Sequence, residues 1–184
     1  LTTVRRFYDG AVSRGLLEAN PVNGVKAPRK RTADAEIIKC LTAGETERFF
    51  EAIPHDHKLK NLRDLAMAAL MTLEGLRRIE ICRANLEDIE ETDSGVRILV
   101  HGKGKDGYIY QREDTVACLQ NYLIQRGPVQ SDKDGEPIFV SLSKGDKVRG
   151  RITRIGLSKW IDTMLAKAGI TKKGRGCHAL RHTC

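Results

Sequence analysis

The chain has 184 residues, which is enough for one domain with a substantial core and a smaller appendage. Its 40% hydrophobic and 30% charged residues are ordinary for a globular protein, and no apolar run approaches the roughly 20 residues of a membrane-spanning helix. The five cysteines form no CxxC pair, which argues against a disulfide framework and is typical of reduced thiols in a cytosolic protein. Because the sequence opens on Leu1 without a signal peptide, we expect a processed chain or a fragment.

Positive charge is concentrated at the two ends of the sequence. Residues 1–32 carry seven Lys and Arg against two acids, and residues 144–184 carry eleven against two. The stretch between them has fourteen basic and twenty acidic residues. A net charge of +8 distributed in this way indicates either a polyanion that touches both ends or simply a solvated surface.

The first helix is predicted over residues 3–18, where apolar side chains recur at helical spacing. Asn20-Pro21 ends this segment, because the residue before a proline is driven out of the helical region. The following stretch has no periodicity and contains a basic cluster, so we predict a linker. The cluster consists of Arg29, Lys30 and Arg31.

A second part of the chain begins with two predicted helices. Thr42 and Glu45 form a capping-box pattern, which opens a helix that runs to about Ala52. Residues 58–73 place leucines and alanines on one stripe, which predicts a buried helix. Gly75 marks a turn, and a short helix and an extended segment are predicted after it.

The remaining elements predict an α+β fold. Alternating apolar residues at 96–100 and a second strand at 108–111 flank the glycine-rich HGKGKDG, which predicts a β-hairpin. The later elements are a helix at about 113–125, a strand at 137–140, a helix whose apolar stripe runs from Ile155 to Ala168 and stops at Gly169, and the start of one more helix. We therefore predict a mainly helical domain with a small antiparallel sheet or hairpin, without internal repeats.

The sequence ends on CHALRHTC, which concentrates imidazole and guanidinium groups. In a helix, His178 and Arg181 share one face, and His182 lies on nearly the same one. The spacing of the two histidines resembles a zinc helix with Cys177 or Cys184 as a further ligand, but Arg181 would place a fixed cation beside the ion. The histidines can also be ordinary helix residues. A third interpretation is a phosphate site, in which arginine binds two oxygens and histidine transfers a proton.

A site that binds phosphodiesters needs further cations. Arg77 and Arg78 stand at a predicted helix start, and Glu80 lies one turn past Arg77, where it can orient that guanidinium. Adjacent helical residues point about 100° apart, so we expect only one of the two arginines to serve such a site. Lys103 lies in a tight turn between strands, where a hairpin tip can reach into a groove. Taken singly, each of these residues is more often just solvated.

Taken in order, three motifs resemble those of the tyrosine recombinase (phage integrase) family. They are GLRRIE at 75–80, HGKGKD at 101–106 and HALRHT at 178–183. The similarity covers about residues 40–184, with matching order and spacing. The opening helix and ANPVNGVKAP are similar to the end of that family's N-terminal core-binding domain. The resemblance implies the end of a SAM-like core-binding domain at 1–24, a basic linker at 25–40 and a catalytic domain of the DNA breaking-rejoining type at 41–184.

The resemblance also implies roles for individual residues. Lys103 matches the hairpin lysine of the family, with Lys105 as the alternative if the turn is offset, and a structural role is expected for His182 and Thr183. The implied catalytic residues are Arg77, Glu80, Lys103, His178 and Arg181. The implied DNA-binding residues are Arg77, Lys103, Lys105 and Arg181, with Arg29, Lys30 and Arg31 of the linker.

The implied reaction is covalent catalysis on DNA. A tyrosine hydroxyl attacks the scissile phosphate and leaves a 3′-phosphotyrosyl link and a free 5′-hydroxyl. Arg77 and Arg181 would offset charge on the non-bridging oxygens, Lys103 would protonate the leaving 5′-oxygen, and His178 would assist proton transfer. No metal, ATP or other cofactor is implied. The implied partners are double-stranded DNA and three further copies of the protein, which form a homo-tetramer on paired sites. No membrane is implied. The implied protein is cytoplasmic, nucleoid-associated and of bacterial or phage origin.

The family's nucleophilic tyrosine follows the HxxR motif, and no tyrosine of this sequence occupies that position. The four tyrosines all precede the motif, and we predict a structural role for each, with Tyr8 in the core of the first helix. They are Tyr8, Tyr108, Tyr110 and Tyr122. We therefore expect a catalytic domain cut short before its nucleophile, which binds DNA without cleaving it. The alternative is a non-catalytic DNA-binding regulator that kept the phosphate pocket.

Overall fold

Helices make up most of the secondary structure, and the computed structural model describes residues 1–26, 40–102, 106–143, 145–171 and 176–183. Within these ranges the helices are α1 (Thr2–Ser13), α2 (Ala43–Glu51), α3 (Leu59–Thr72), α4 (Arg78–Arg83), α5 (Glu113–Arg126), α6 (Arg154–Lys167) and α7 (Cys177–Arg181). The strands are β1 (Ile89–Thr92), β2 (Gly95–His101), β3 (Asp106–Tyr110), β4 (Val140–Leu142) and β5 (Val148–Arg151). The predicted α+β class is confirmed. None of the described helices combines the length and the apolar character needed to cross a bilayer.

The chain divides into two units, and the first, Leu1–Ile38, contains α1. This helix ends at Ser13, short of the predicted residue 18. Gly15 adopts a φ of +69°, and the amides of Gly15 and Leu16 donate to carbonyls of the last helical turn. Such a glycine-terminated cap stops the helix. None of the twelve residues of α1, all of them described, is buried, so the prediction that Tyr8 is core is wrong.

The second unit, Lys39–Cys184, is built around α3. Residues 66–71 of this helix are almost completely buried, so the second half of α3 is covered on all sides rather than on the single stripe predicted. It packs against α2, α4, α5 and α7. The predicted capping box of α2 is confirmed, because Thr42 Oγ accepts the Glu45 amide at 3.2 Å and the Glu45 carboxylate accepts the Thr42 amide at 2.9 Å.

Strands β1, β2 and β3 form an antiparallel sheet in that order, which confirms the predicted hairpin. Ile98 of β2 pairs with Ile89 of β1 and Ile109 of β3, and it is fully buried, so this face of the sheet covers the core. On the other face, the guanidinium of Arg97 stacks 3.9 Å from the ring centre of Tyr108.

Strands β4 and β5 form a second antiparallel pair that the sequence revealed only in part. The predicted strand at 137–140 is displaced, since β4 begins at Val140, while Ile138 before it is buried in the core. Strand β5 was not predicted. Its sequence VRGR is short, charged and largely exposed, so it carries no alternating pattern.

Helix α6 begins one residue after Thr153, whose hydroxyl accepts the Gly156 amide at 3.0 Å. Ile155, which was predicted to lie on the buried stripe, is 71% exposed, and that prediction is wrong. The buried face starts at Leu157 instead. The helix ends where predicted, next to Gly169, which has a φ of +68°.

Arg151 of β5 joins the second hairpin to the end of α4. Its Nε and Nη2 donate to the two carboxylate oxygens of Asp132 at 2.7 and 2.9 Å, and Nη2 also donates to Asn85 Oδ1 at 2.7 Å. This two-pronged pairing lowers the pKa of Asp132 to about 2. Because the carboxylate is more acidic in the folded chain than in an unfolded one, at about 3.9, the pair stabilises the fold above pH 4.

We predict that Asp132→Asn destabilises the protein at pH 5 and that this difference shrinks as the pH falls from about 4 towards 2. Protonation removes the charge that the substitution also removes. Urea denaturation of both proteins across this range measures the difference. In an Arg151→Gln background the pH dependence of the difference should shrink, and a smaller part should persist because the Asp134 amide also donates to the Asp132 carboxylate, at 2.8 Å. An Asp132→Asn effect of constant size between pH 5 and 2.5 would contradict the assignment.

Candidate functional site

The turn between α3 and α4 presents the first arginine of the site. Gly75 takes a φ of +68°, and the amide of the fully buried Leu76 donates to the Leu70 carbonyl at 2.9 Å, which fixes the turn. Arg77 follows with an extended backbone at the N-cap of α4. The carboxylate of Glu80 accepts the Arg77 amide at 2.7 Å and its guanidinium at 2.6 Å. One carboxylate therefore fixes both the backbone and the side chain of Arg77.

Helix α7 brings a second arginine to the same carboxylate. Nη1 of Arg181 donates to the Gly75 carbonyl at 2.9 Å and lies 3.8 Å from Glu80 Oε2. The side chain of Glu80 is only 2% exposed, so its charge is paired inside the protein rather than in water. Arg77 and Arg181, which are far apart in the sequence, are thus joined through Glu80.

The short helix α7 is amphipathic. Ala179 and Leu180 are fully buried in the core beside α3. His178 and Arg181 lie on the other face, with His178 exposed and Arg181 partly buried. The predicted i, i+3 pairing of these two side chains on one face is therefore present.

These elements surround a cavity of about 550 Å³ with a strongly positive lining. Its described lining includes five arginines and one histidine, and none of those lining residues is acidic. The full set is Arg77, Arg78, Ile79, Arg83, Arg154, Cys177, His178 and Arg181. The side chain of Arg77 is 56% exposed, and Glu80 occupies only part of its guanidinium, so N–H groups remain available for an anion. This arrangement suits an anion with several oxygens, such as a phosphodiester.

Both adjacent arginines line the cavity, whereas the sequence predicts that only one of them serves the site. Their guanidinium groups have different partners. Arg77 pairs with Glu80, whereas Arg78 donates to the hydroxyl of Ser158 on α6. The turn at Arg77 places the two residues on either side of a helix start, where the 100° rule of a continuous helix does not apply.

Arg83 and Arg154 were missed by the sequence analysis. Arg83 occupies the last turn of α4, and Arg154 is the first residue of α6. The signal that points to Arg154 is the excess of basic over acidic residues in the last part of the sequence. Only the packing of α4 against α6 shows that these residues reach the same cavity as Arg77.

Several of the predicted residues lie outside the described parts of the chain. These are Lys103 and Lys105 of the hairpin turn and Arg29, Lys30 and Arg31 of the linker. The residues that flank the hairpin turn are described. His101 contacts Asp88 at 3.0 Å and Asp106 at 3.2 Å, and these carboxylates, Asp88 foremost, raise the pKa of His101.

The four tyrosines all lie in the described residues, and none of them lines the cavity. Tyr122 is fully buried and stacks on Phe139 at 5.5 Å, and its burial raises its pKa to about 12. Tyr108 donates to Glu90 at 2.8 Å, a bond that raises the pKa of Tyr108. Tyr122 is therefore a core residue, and Tyr108 is hydrogen-bonded to Glu90 in the same sheet.

The zinc interpretation of His178 and His182 finds no further ligand in the described residues. Across those ranges, no three His, Cys, Asp or Glu side chains cluster closely enough to hold a metal ion. Arg181 stands between the two histidines in the sequence and turns towards Glu80 and Gly75. The geometry favours an anion at this end of α7.

Curated relatives are similar to the chain over its full length. Tyrosine recombinase XerC of Myxococcus xanthus is 29% identical over 188 residues, an alignment that covers 100% of this chain and 59% of that protein. Tyrosine recombinase XerC of Lactobacillus leichmannii is 28% identical over 186 residues, with the same coverage of each. The chain thus spans less than two thirds of the length of these relatives.

Solved structures share the fold. The crystal structure of XerA recombinase has a TM-score of 0.62 at 24% identity. The superposition covers 98% of this chain and 57% of the XerA chain. A lambda integrase dimer bound to a COC′ core site has a TM-score of 0.65 at 17% identity, with coverage of 99% and 62%. Residues 39–184 match the phage integrase family. Since this match takes in most of the sequence, the chain belongs to the phage integrase family.

Proposed function

We propose that this chain binds the scissile phosphodiester of double-stranded DNA in a site-specific recombinase that cleaves and rejoins strands. The observation that carries this proposal is the cavity lined by five arginines, with Arg77 and Arg181 held by one buried carboxylate. A bound phosphate would offset their positive charge, and their N–H groups would bind its non-bridging oxygens. Lambda integrase, which has the same fold, is bound to a DNA core site in its crystal structure.

The proposed reaction assigns tasks to the predicted catalytic residues, of which Lys103 lies outside the described parts of the chain. A tyrosine oxygen would form a bond to phosphorus while the bond to the 5′-oxygen breaks. Arg77 and Arg181 would stabilise the charge that develops on the non-bridging oxygens. His178, which is exposed beside Arg181, would accept or relay the tyrosine proton, and Lys103 would supply a proton to the leaving 5′-oxygen. Phosphotyrosine retains the energy of the phosphodiester, so rejoining follows by reversal.

We propose that the chain has the three-part organisation that its resemblance to the family implies. Residues 1–24 would end a core-binding domain, 25–40 would form a basic linker in which Arg29, Lys30 and Arg31 contact the DNA backbone, and 41–184 would belong to the catalytic domain. Two duplex sites would be held by a homo-tetramer on chromosomal or phage DNA. The basic stretches at both ends of the chain support contacts with a polyanion over an extended surface.

We predict that the chain binds duplex DNA with an affinity that falls steeply as salt rises, because each phosphate contact releases counterions. Arg77→Ala and Arg181→Ala should each weaken binding roughly tenfold and reduce the slope of log K against log salt by about 1. Fluorescence anisotropy with a labelled duplex measures both quantities.

Lys58→Ala is the matched control for the loss of one positive charge. Lys58 is 73% exposed, pairs with Asp56 and does not line the cavity. This variant should keep nearly the wild-type slope. Equal effects of Lys58→Ala and Arg181→Ala would show that the cavity has no special role in DNA binding.

The buried Glu80 carboxylate is proposed to orient both arginines. Glu80→Gln should lower the free energy of unfolding by about 1–3 kcal/mol, because a charged acceptor of the Arg77 bonds becomes neutral inside the protein. Urea denaturation measures the change. The exposed Glu91→Gln on β1 should change stability by less than about 0.5 kcal/mol. Wild-type stability of Glu80→Gln would refute the orienting role.

We also predict that the 184-residue chain forms no covalent adduct with DNA, since none of its tyrosines lines the cavity. The substrate is a nicked duplex carrying the sequence that the chain selects from a random pool. Denaturing electrophoresis should show free protein and free DNA. A band that survives denaturation, and disappears in one Tyr→Phe variant, would identify that tyrosine as a nucleophile.

A further inference from the structure

The hydroxyl of Thr183 joins the two ends of the second unit. It donates to the Ala179 carbonyl at 2.8 Å and accepts the amide of Leu41 at 3.1 Å. Ala179 lies in α7, between His178 and Arg181. Leu41 is near the first residue of the unit, 142 positions away from Thr183. A single side-chain oxygen therefore connects the segment that enters the unit to the helix that carries the site.

The Leu41 end of this link is fixed in place. Leu41 is 4% exposed and belongs to the core, so its backbone has a defined position. The next residue, Thr42, is the N-cap of α2 and is held by the capping box with Glu45. The Leu41 amide precedes the helix and thus has no partner within it, and the Thr183 hydroxyl supplies the acceptor.

The α7 end depends on contacts made outside the helix. A helix of five residues is too short to be stable on its own, so its orientation is set by tertiary contacts. Two such contacts are the buried Ala179 and Leu180 and the bond from Arg181 to the Gly75 carbonyl. The Thr183 hydroxyl supplies a third, at the C-terminal end of α7 next to Arg181.

We infer that Thr183 is a positioning residue for the phosphate site. Its hydroxyl fixes the end of α7 to Leu41 and so sets the direction in which Arg181 and His178 face the cavity. A shift of the chain at Leu41 is transmitted to α7 through this bond. The inference deepens the proposed function and rests on it for its consequence in DNA binding, while the coupling itself can be measured without DNA.

The test compares Thr183→Val, which keeps the shape but lacks the hydroxyl, with Thr183→Ser, which keeps the hydroxyl. In Thr183→Val the Leu41 amide should exchange with deuterium faster, and the NMR signals of the Arg181 guanidinium and the His178 ring should shift. Thr183→Ser should restore both. Thr163→Val is the matched control, because the Thr163 hydroxyl makes the same kind of bond within α6, to the Lys159 carbonyl at 2.7 Å.

In the DNA-binding assay, Thr183→Val should weaken binding roughly three- to tenfold, and Thr183→Ser and Thr163→Val should bind like wild type. In an Arg181→Ala background, Thr183→Val should add no more than about a twofold loss, because Arg181 carries most of the effect and only the part that acts through His178 remains. A merely destabilising substitution would instead weaken both backgrounds equally.

The outcomes separate the two proposals. If wild type shows no salt-dependent DNA binding, the proposed function fails, and the NMR shifts still decide the coupling. If wild type binds and Arg181→Ala weakens binding, but Thr183→Val leaves the affinity and the Arg181 signals unchanged, the positioning role is wrong. A failure of Thr183→Ser to restore the wild-type behaviour would also overturn it, because the hydroxyl would not be the group responsible.

Discussion

The site depends on one buried negative charge. The Glu80 carboxylate is 2% exposed, and a charge in that position is tolerated only when it is paired and hydrogen-bonded. It meets this requirement with the Arg77 amide and guanidinium, while Arg181 lies 3.8 Å away. The bonds to Arg77 fix the turn after α3 and the start of α4. The contacts of Arg181 with this turn and with Glu80 hold α7 against it. The positions of Arg77 and Arg181 in the cavity follow from satisfying this single carboxylate.

Two groups of arginines in the described residues differ in their surroundings. Arg63 and Arg126 have side chains that are 9% and 2% exposed, and each pairs with an acid, Asp64 at 2.7 Å and Glu136 at 2.6 Å. Arg63 also donates to the Val140 carbonyl, so this pair holds strand β4. The cavity arginines are arranged differently, since five of them line one cavity and two of these, Arg77 and Arg181, share the Glu80 carboxylate. Grouped like charges repel one another, and an anionic ligand relieves that repulsion.

Local patterns predicted the local structure, and tertiary contacts explain what was missed. The capping box at Thr42, the hairpin and the stop of α6 at Gly169 all depend on neighbouring residues, and the structure contains them. Strand β5 is short and charged, and its pairing with β4 is a tertiary contact that its own sequence does not indicate. Ile155 fits the apolar stripe of α6 but lies beyond the surface that the core covers. The position of Arg154 in the cavity could not be predicted from the sequence either, because it results from the packing of α4 on α6.

The choice between a metal helix and a phosphate site shows why distant residues decide local chemistry. By sequence alone, HALRHT offers two histidines at zinc spacing and an arginine at phosphate spacing, and α7 is too short to fix either arrangement by itself. The decision comes from the turn after α3. Its Gly75 carbonyl accepts a bond from Arg181, and Glu80 beneath it attracts the same guanidinium. Once Arg181 is held there, the exposed side of α7 is cationic, and a divalent metal ion beside it would be repelled. The arginine of this motif is therefore placed by a carboxylate about a hundred residues earlier in the chain.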